Sequence, residues 1–426
     1  MDILQELLQD VPLPKMVKIS QTFNAPLVTS VEESLRFALT AQDITAKIVP
    51  GMKVAVAVGS RGLADLPTLV HTTVSFLKDC GAKPFIVPAM GSHGGATAAG
   101  QIEVLSNLGV TEHSAGCPIR SSMEVDEIGR LPNGLPVYID RYAHDADGIV
   151  VINRVKPHTA FRGPSESGLV KMLTIGLGKQ KGAASCHAYS FKYMAQNIVD
   201  MAKVILAKTP VLFGIGTVEN AYDQIAKIVA VPAEQLIVVD QQLQQEAKAN
   251  MPRIPFEQID VLLIDQIGKD VSGDGMDPNI TGRYPTPYAT GGPSVNKMAV
   301  LDLTERTHGN ANGMGTADFT TRRLVEKTDF AATYANGLTS TVVTPTHTPT
   351  VLENDRDVVR AAVKTSNALD LSHVRIVHIK DTLHLSEIYI SEALLGEAQA
   401  LPQVTILTQP AEMAFDNNGN FRRPLL

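Results

Sequence analysis

Residues 54–93 read VAVAVGSRGLADLPTLVHTTVSFLKDCGAKPFIVPAMGSH, and this stretch decides the fold class. Val54–Val58 is a short, continuous apolar run rich in valine. A polar-glycine turn, GSRG, follows it, a helix is predicted from Leu66 to Cys80 with Gly81 as its stop, and a second apolar run covers Phe85–Val87. Short apolar runs separated by an amphipathic helix are the pattern of buried parallel strands, because both faces of such a sheet are covered. The design then repeats: the turn MGSHGGAT leads into a helix predicted over Ala98–Leu108, and a third buried strand is predicted over Gly148–Ile152.

Outward from this core, Asp2–Gln9 has a helical apolar pattern closed by Pro12 and Pro14, and Val31–Ala41 reads as a surface helix. The Asn-Gly turn in LPNGLPV, residues 131–137, predicts a hairpin. Beyond residue 187 a helix is expected over Phe191–Lys208, a strand over Val211–Ile215 and a polar helix over Gln241–Asn250. MPRIPFEQ, with Pro252 and Pro255, then breaks the pattern and places a domain boundary, giving domains 1–252 and 253–426. In the second, smaller domain, strands are predicted over Val261–Asp265, Met298–Leu303 and Arg375–Ile379, and helices over Thr316–Glu326 and Asp355–Thr365. The expected fold is a two-domain α/β protein with mostly parallel sheets flanked by helices.

Composition narrows the partners. A 426-residue chain with 44% apolar residues and mean hydropathy of +0.04 fills two cores. A net charge of −7 without a basic stripe argues against a nucleic-acid partner and for a small molecule. The acidic start MDILQELLQD and the lack of a long apolar run predict neither a signal peptide nor a membrane span, and hence a cytoplasmic protein. Cys80, Cys117 and Cys186 have no CxxC spacing, so buried free thiols are expected rather than disulfides or a zinc cage.

Residues 153–187, NRVKPHTAFRGPSESGLVKMLTIGLGKQKGAASCH, crowd two histidines, four lysines and two arginines into one stretch that core building does not require. In an open parallel sheet, ligands bind outside the carboxyl ends of the strands. GSRG, GSHGG and NRVKPH each leave such an end, so Arg61, His93 and His158 are expected along one edge, with Gln266 and Lys269 on the edge of the second sheet and the active site in a cleft between the domains. Each residue has two readings. Arg61 suits a phosphate or carboxylate. His93 is either a working histidine or a loop histidine bonded to a carbonyl, and His158 after Pro157 is a positioned side chain or a turn residue. Lys171 in an apolar helical stretch either snorkels or is a desolvated amine suited to covalent chemistry. Lys179 and Lys181 read as phosphate ligands or solvated charges. His187 beside Cys186 is a metal-ligand candidate without zinc spacing.

The ordered set GSRG, GSHGGAT, KPH, the helix-borne lysine, the following histidine and QIGK resembles the lactate racemase family, whose members carry a nickel pincer nucleotide, and the resemblance spans nearly the whole chain. It implies an isomerase in which His93 and His158 are the acid/base pair, Lys171 is joined covalently to the cofactor and His187, sixteen positions later, ligates nickel. Arg61, Lys179 and the Gly91–Ser92 turn would contact the cofactor. Arg61, Gln266, Lys269 and Arg162 would hold the substrate. Proteins that synthesise the cofactor are then implied as partners. In the implied reaction a histidine removes the hydroxyl proton of a 2-hydroxy acid while hydride moves to the cofactor, giving a 2-keto acid, and hydride returns to the opposite face. The family's well-known members have a shorter, glycine-rich run between Pro-His and the lysine. The longer TAFRGPSESGLV implies a substrate other than lactate, with Arg162 and Glu166 as candidates for reading it. Two other classes stand as alternatives: a non-catalytic nucleotide- or metal-binding protein, and a nucleotide-dependent dehydrogenase or metal hydrolase, although neither GxGxxG after the first strand nor HExxH is present.

Overall fold

The computed structural model describes residues 3–41, 44–60 and 62–422. The chain divides into two compact units: Asn24–Met251, and Met1–Phe23 together with Pro252–Leu426. In chain order the strands are β1 (Met16–Gln21), β2 (Lys53–Val58), β3 (Lys83–Pro88), β4 (Val125–Arg130), β5 (Pro136–Asp140), β6 (Gly148–Arg154), β7 (Val211–Glu219), β8 (Ile225–Pro232), β9 (Gln258–Ile267), β10 (Ser294–Leu303), β11 (Phe319–Thr321), β12 (Thr350–Leu352), β13 (Ile376–Ile379), β14 (Glu387–Ser391) and β15 (Val404–Ile406).

The unit Asn24–Met251 is built on a five-stranded sheet in the order β3-β2-β6-β7-β8. The first four strands run parallel, and β8 returns antiparallel to β7. Val54, Val56 and Val58 of β2, with Val150, Ile152, Phe213 and Ile215, join Leu69, Val70, Val74 and Leu77 of the helix Leu66–Asp79 in one core. Each such buried side chain contributes about 1.5–3 kcal/mol relative to exposure. The opposite face takes the helix Leu236–Asn250 and the segment around Leu169. Gly214 and Gly216 of β7 allow that approach, since a Cβ at Gly214 would lie 3.0 Å from Leu169 Cδ1 and one at Gly216 would lie 2.8 Å from Leu243 Cδ1. The predicted hairpin is β4–β5.

The other unit carries an eight-stranded mixed sheet, β12-β11-β10-β9-β13-β14-β1-β15. It is parallel from β12 to β13 and antiparallel from β13 to β15. Two expectations differ from the structure here. Residues 1–23 belong with this unit and not with residues 24–251, because β1 pairs on both sides with the C-terminal strands β14 and β15. The helix expected over Thr316–Glu326 is instead strand β11 followed by a short helix, Arg322–Lys327. The hydroxyls of Thr320 and Thr321 bond the carbonyls of Val300 and Leu301 on β10, so β-branched residues seat in the ladder. Among the described residues, no helix is long and apolar enough to cross a membrane. The architecture is α/β, with mostly parallel sheets flanked by helices.

Candidate functional site

In the unit Asn24–Met251 the carboxyl ends of β2, β3 and β6 lie on one edge of the sheet, as parallel pairing requires. The Gly59–Ser60 turn after β2 meets the loop after β3, where the Ser60 hydroxyl bonds His93 Nδ1. His93 is exposed. Its loop is held from below by the buried Gln101, whose Nε2 donates to the Gly91 carbonyl at 3.0 Å and to the His93 carbonyl at 3.3 Å. Because a hydroxyl both donates and accepts, the Ser60 contact leaves either His93 tautomer open. Arg61 lies outside the described residues, and Ser92 is half-buried.

The loop after β6 leaves and returns to one point. Lys156 N–H donates to the Ser167 carbonyl at 2.8 Å, and Asn153 Nδ2 bonds the Gly168 carbonyl at 2.7 Å. The long TAFRGPSESG run is therefore an excursion closed at its base, and its length does not carry the following helix away from the sheet edge. Inside it, Glu166 is fully buried and takes four donors: the His158 amide at 2.8 Å, the Gly163 amide at 3.2 Å, Arg162 Nη1 at 3.3 Å and Lys248 Nζ at 2.6 Å. Glu166 was expected to read substrate; its carboxylate instead organises its own loop. Arg162 Nη1 also donates to the His158 carbonyl at 2.8 Å. The half-buried His158 accepts the Ala160 amide on Nδ1 at 3.0 Å. Neutral His158 thus carries its proton on Nε2.

Gly168 opens the helix that carries Lys171. Asp240, buried on the helix Leu236–Asn250, accepts the Leu169 amide at 2.6 Å, capping a donor that would otherwise be orphaned. Burial pushes the Asp240 carboxyl up to about 6. After Leu169–Lys171 the helix widens into a π-turn over Met172–Gly176, a distortion often found at functional positions. This turn packs under the His93 loop: the Gly91 amide donates to the Gly176 carbonyl at 3.3 Å, and a Cβ on Gly59 would lie 2.9 Å from Met172 Cε.

The next helix, Lys179–His187, ends on His187. His187 Nδ1 lies 2.7 Å from the Ala183 carbonyl. A carbonyl only accepts, so Nδ1 carries the proton and Nε2 keeps its lone pair, which is the form a metal ligand needs. Burial lowers the His187 pKa from its ordinary value, the Ala183 bond opposes this, and the nearby Lys171 charge lowers it further. Lys171 is half-buried, and its charge also reaches Cys186, whose thiol burial pushes up to about 12. Phe191 joins the two histidines of this stretch, with its ring centroid 5.8 Å from His158 and 5.3 Å, edge-on, from His187; Phe161 lies 4.5 Å from His158.

Lys179 requires a correction. It was expected to touch a cofactor phosphate, but it is fully buried; its ammonium donates to the Pro88 carbonyl and to Gln101 Oε1 at 2.9 Å and is ion-paired with Asp140 Oδ2 at 3.3 Å. Full burial keeps the ammonium from meeting a phosphate. The Gly91 amide is likewise engaged by Gly176. In the other unit, Gln266 lies half-buried on β9, and Lys269 in the following loop donates from Nζ to the Gly273 carbonyl at 2.6 Å. Four residues that hold the site, Gln101, Asp140, Asp240 and Lys248, were missed from sequence. Asp240 and Lys248 left one trace, a four-residue polar spacing with Gln244 between them.

Residues 6–198 match the family model of the lactate racemase N-terminal domain. Among solved structures the chain resembles that of the lactate racemase apoprotein from Thermoanaerobacterium thermosaccharolyticum, with a TM-score of 0.51 and 12% sequence identity over 86% of this chain and 98% of that one. That likeness is one of fold. No curated protein matches the chain. The N-terminal part of the chain is thus similar to the lactate racemase N-terminal domain, and its fold is similar to that of a lactate racemase.

Proposed function

We propose that the chain inverts the α-carbon of a 2-hydroxy acid, with Lys171 as the attachment point of a nickel pincer nucleotide, His187 as the protein's nickel ligand, and His93 and His158 as the proton-handling pair. The observation that carries this reading is His187: its Nδ1 proton is committed to Ala183, its Nε2 lone pair is available, and Lys171 lies near enough to depress its pKa. Among the described residues, no three His, Cys, Asp or Glu side chains form a metal cage, and a single histidine suits a metal whose other donors belong to the nucleotide. When bound, that group supplies a carbon able to accept and return hydride.

The chain's own residues would do the rest. Inversion needs a proton-handling group on each face of the α-carbon. His93, open to either tautomer, is suited to take the hydroxyl proton. His158, with its proton on Nε2, offers an N–H to the substrate oxygen from its side, and must release the Ala160 bond before it becomes doubly protonated. Arg61, Arg162, Gln266 and Lys269 are proposed as substrate anchors. The test is a racemisation screen over 2-hydroxy acids with cofactor-loaded protein, alongside its intact mass. Inversion and a covalent adduct on Lys171 are expected. An unmodified Lys171 in active protein overturns the attachment, full activity in both His93→Ala and His158→Ala overturns the acid/base pair, and bound nickel without inversion of any acid favours a binding protein.

A further inference from the structure

The helix Leu236–Asn250 rests on β7 through Leu243 and Ala247, which pack with Val155 and Val218. Asp240, Gln244 and Lys248 recur every four residues and so share one face. All three reach the segment between His158 and Lys171. Asp240 caps the Lys171 helix through the amide of Leu169, Gln244 Oε1 accepts the Ser167 amide at 3.4 Å, and Lys248 holds Glu166, which in turn holds the amides of His158 and Gly163.

We infer that this stripe is the positioning element of the site. Lys248 orients His158 through Glu166, and Asp240 orients Lys171 through the first turn of its helix, so that one rigid helix sets the separation of the two. The inference rests on the proposed function for the roles of His158 and Lys171. The physical need arises from the excursion TAFRGPSESG. A longer loop has more conformations to lose, and a displacement of about 1 Å at a reacting group can cost about a hundredfold in rate. Two buried carboxylates, Glu166 and Asp240, are accounted for together by this role, whereas packing alone would favour apolar residues in their places.

The experiment uses the full chain in two arms. In cofactor-free protein, amide hydrogen exchange of Lys248→Met should show protection at His158 and Gly163 falling by about tenfold or more, with residues 148–154 unchanged. Lys248→Arg should restore it, and Asp240→Ala should expose the amide of Leu169. In cofactor-loaded protein, Lys248→Met should lower kcat by about tenfold to a hundredfold with KM nearly unchanged. Unchanged exchange at His158 and Gly163 in Lys248→Met overturns the inference, as does unchanged kcat. Lys248 is partly exposed, so this variant should fold. If Asp240→Ala does not, Lys248→Met decides alone. Loss of exchange protection in a protein whose wild type inverts no 2-hydroxy acid would retain the clamp and remove the proposed function, which keeps the two failures distinct.

Discussion

Replacing Lys179 by methionine separates a structural lysine from a cofactor-holding one. Lys179 and Asp140 are both fully buried, 3.3 Å apart, and the ammonium also donates to Gln101 Oε1 and the Pro88 carbonyl. Burial pushes the Asp140 carboxyl up and the Lys179 ammonium down, and the charge of each opposes the shift of the other. Methionine fills much of the same volume, so the loss is electrostatic. Asp140 keeps the Ala143 amide at 3.0 Å but becomes an uncompensated charge in the interior. Removing one partner of a buried pair costs about 3–5 kcal/mol. For a domain of this size each kcal/mol lowers Tm by about 2–4 °C, so a fall of about 6–20 °C is expected in thermal unfolding of the cofactor-free protein. Adding Asp140→Asn removes the orphaned charge while keeping a cap for Ala143, and should recover about 1 kcal/mol or more relative to the sum of the single changes. A lysine that only held cofactor would leave the cofactor-free protein within about 0.5 kcal/mol of wild type. A Tm within about 2 °C of wild type would therefore refute the structural assignment.

Asp240 predicts a pH dependence. Its folded value of about 6 lies above the ordinary 3.8, so its contribution to stability is fully present below about pH 4 and is lost as pH rises through 6. Asp240→Asn keeps an acceptor for the Leu169 amide without the ionisation, and should therefore gain about 2 kcal/mol on wild type between pH 4 and pH 7, read from urea unfolding at both; parallel pH profiles would exclude it. Gly168→Ala should destabilise by about 1–3 kcal/mol and deprotect the Leu169 amide, because its Cβ would fall 2.2 Å from Asp240 Oδ1. The φ of −170° at Gly168 is one any residue adopts, so the penalty is steric; an equally stable variant would refute the close approach. Gly396→Ala, with nothing within 4 Å of the new Cβ, is the control.

The parallel core was legible because buried strands are continuous apolar runs: Val54–Val58 and Gly148–Ile152 were found within a few residues of β2 and β6, and the edge they define brought out His93 and His158. Of the strands that escaped reading, β1 is stabilised by partners far away in the chain, while β8 pairs with its neighbour β7. Met16 pairs with Ser391, a relation no local pattern carries, and β11 is only three residues long, too short for a period. The same limit explains the lysines. Lys171 and Lys179 lie eight positions apart in a glycine-rich stretch, and charge in such a context reads as a ligand in both cases. What distinguishes them is burial, complete for Lys179 and partial for Lys171. For Lys179 the acceptors come from residues 88, 101 and 140, on a strand, a helix and a hairpin that folding alone brings together. Lys171 sits half-buried at the head of a π-turn, with its charge felt at His187. The first lysine is held by the scaffold beneath the His93 loop; the charge of the second is felt at His187, and the test of covalent attachment belongs there.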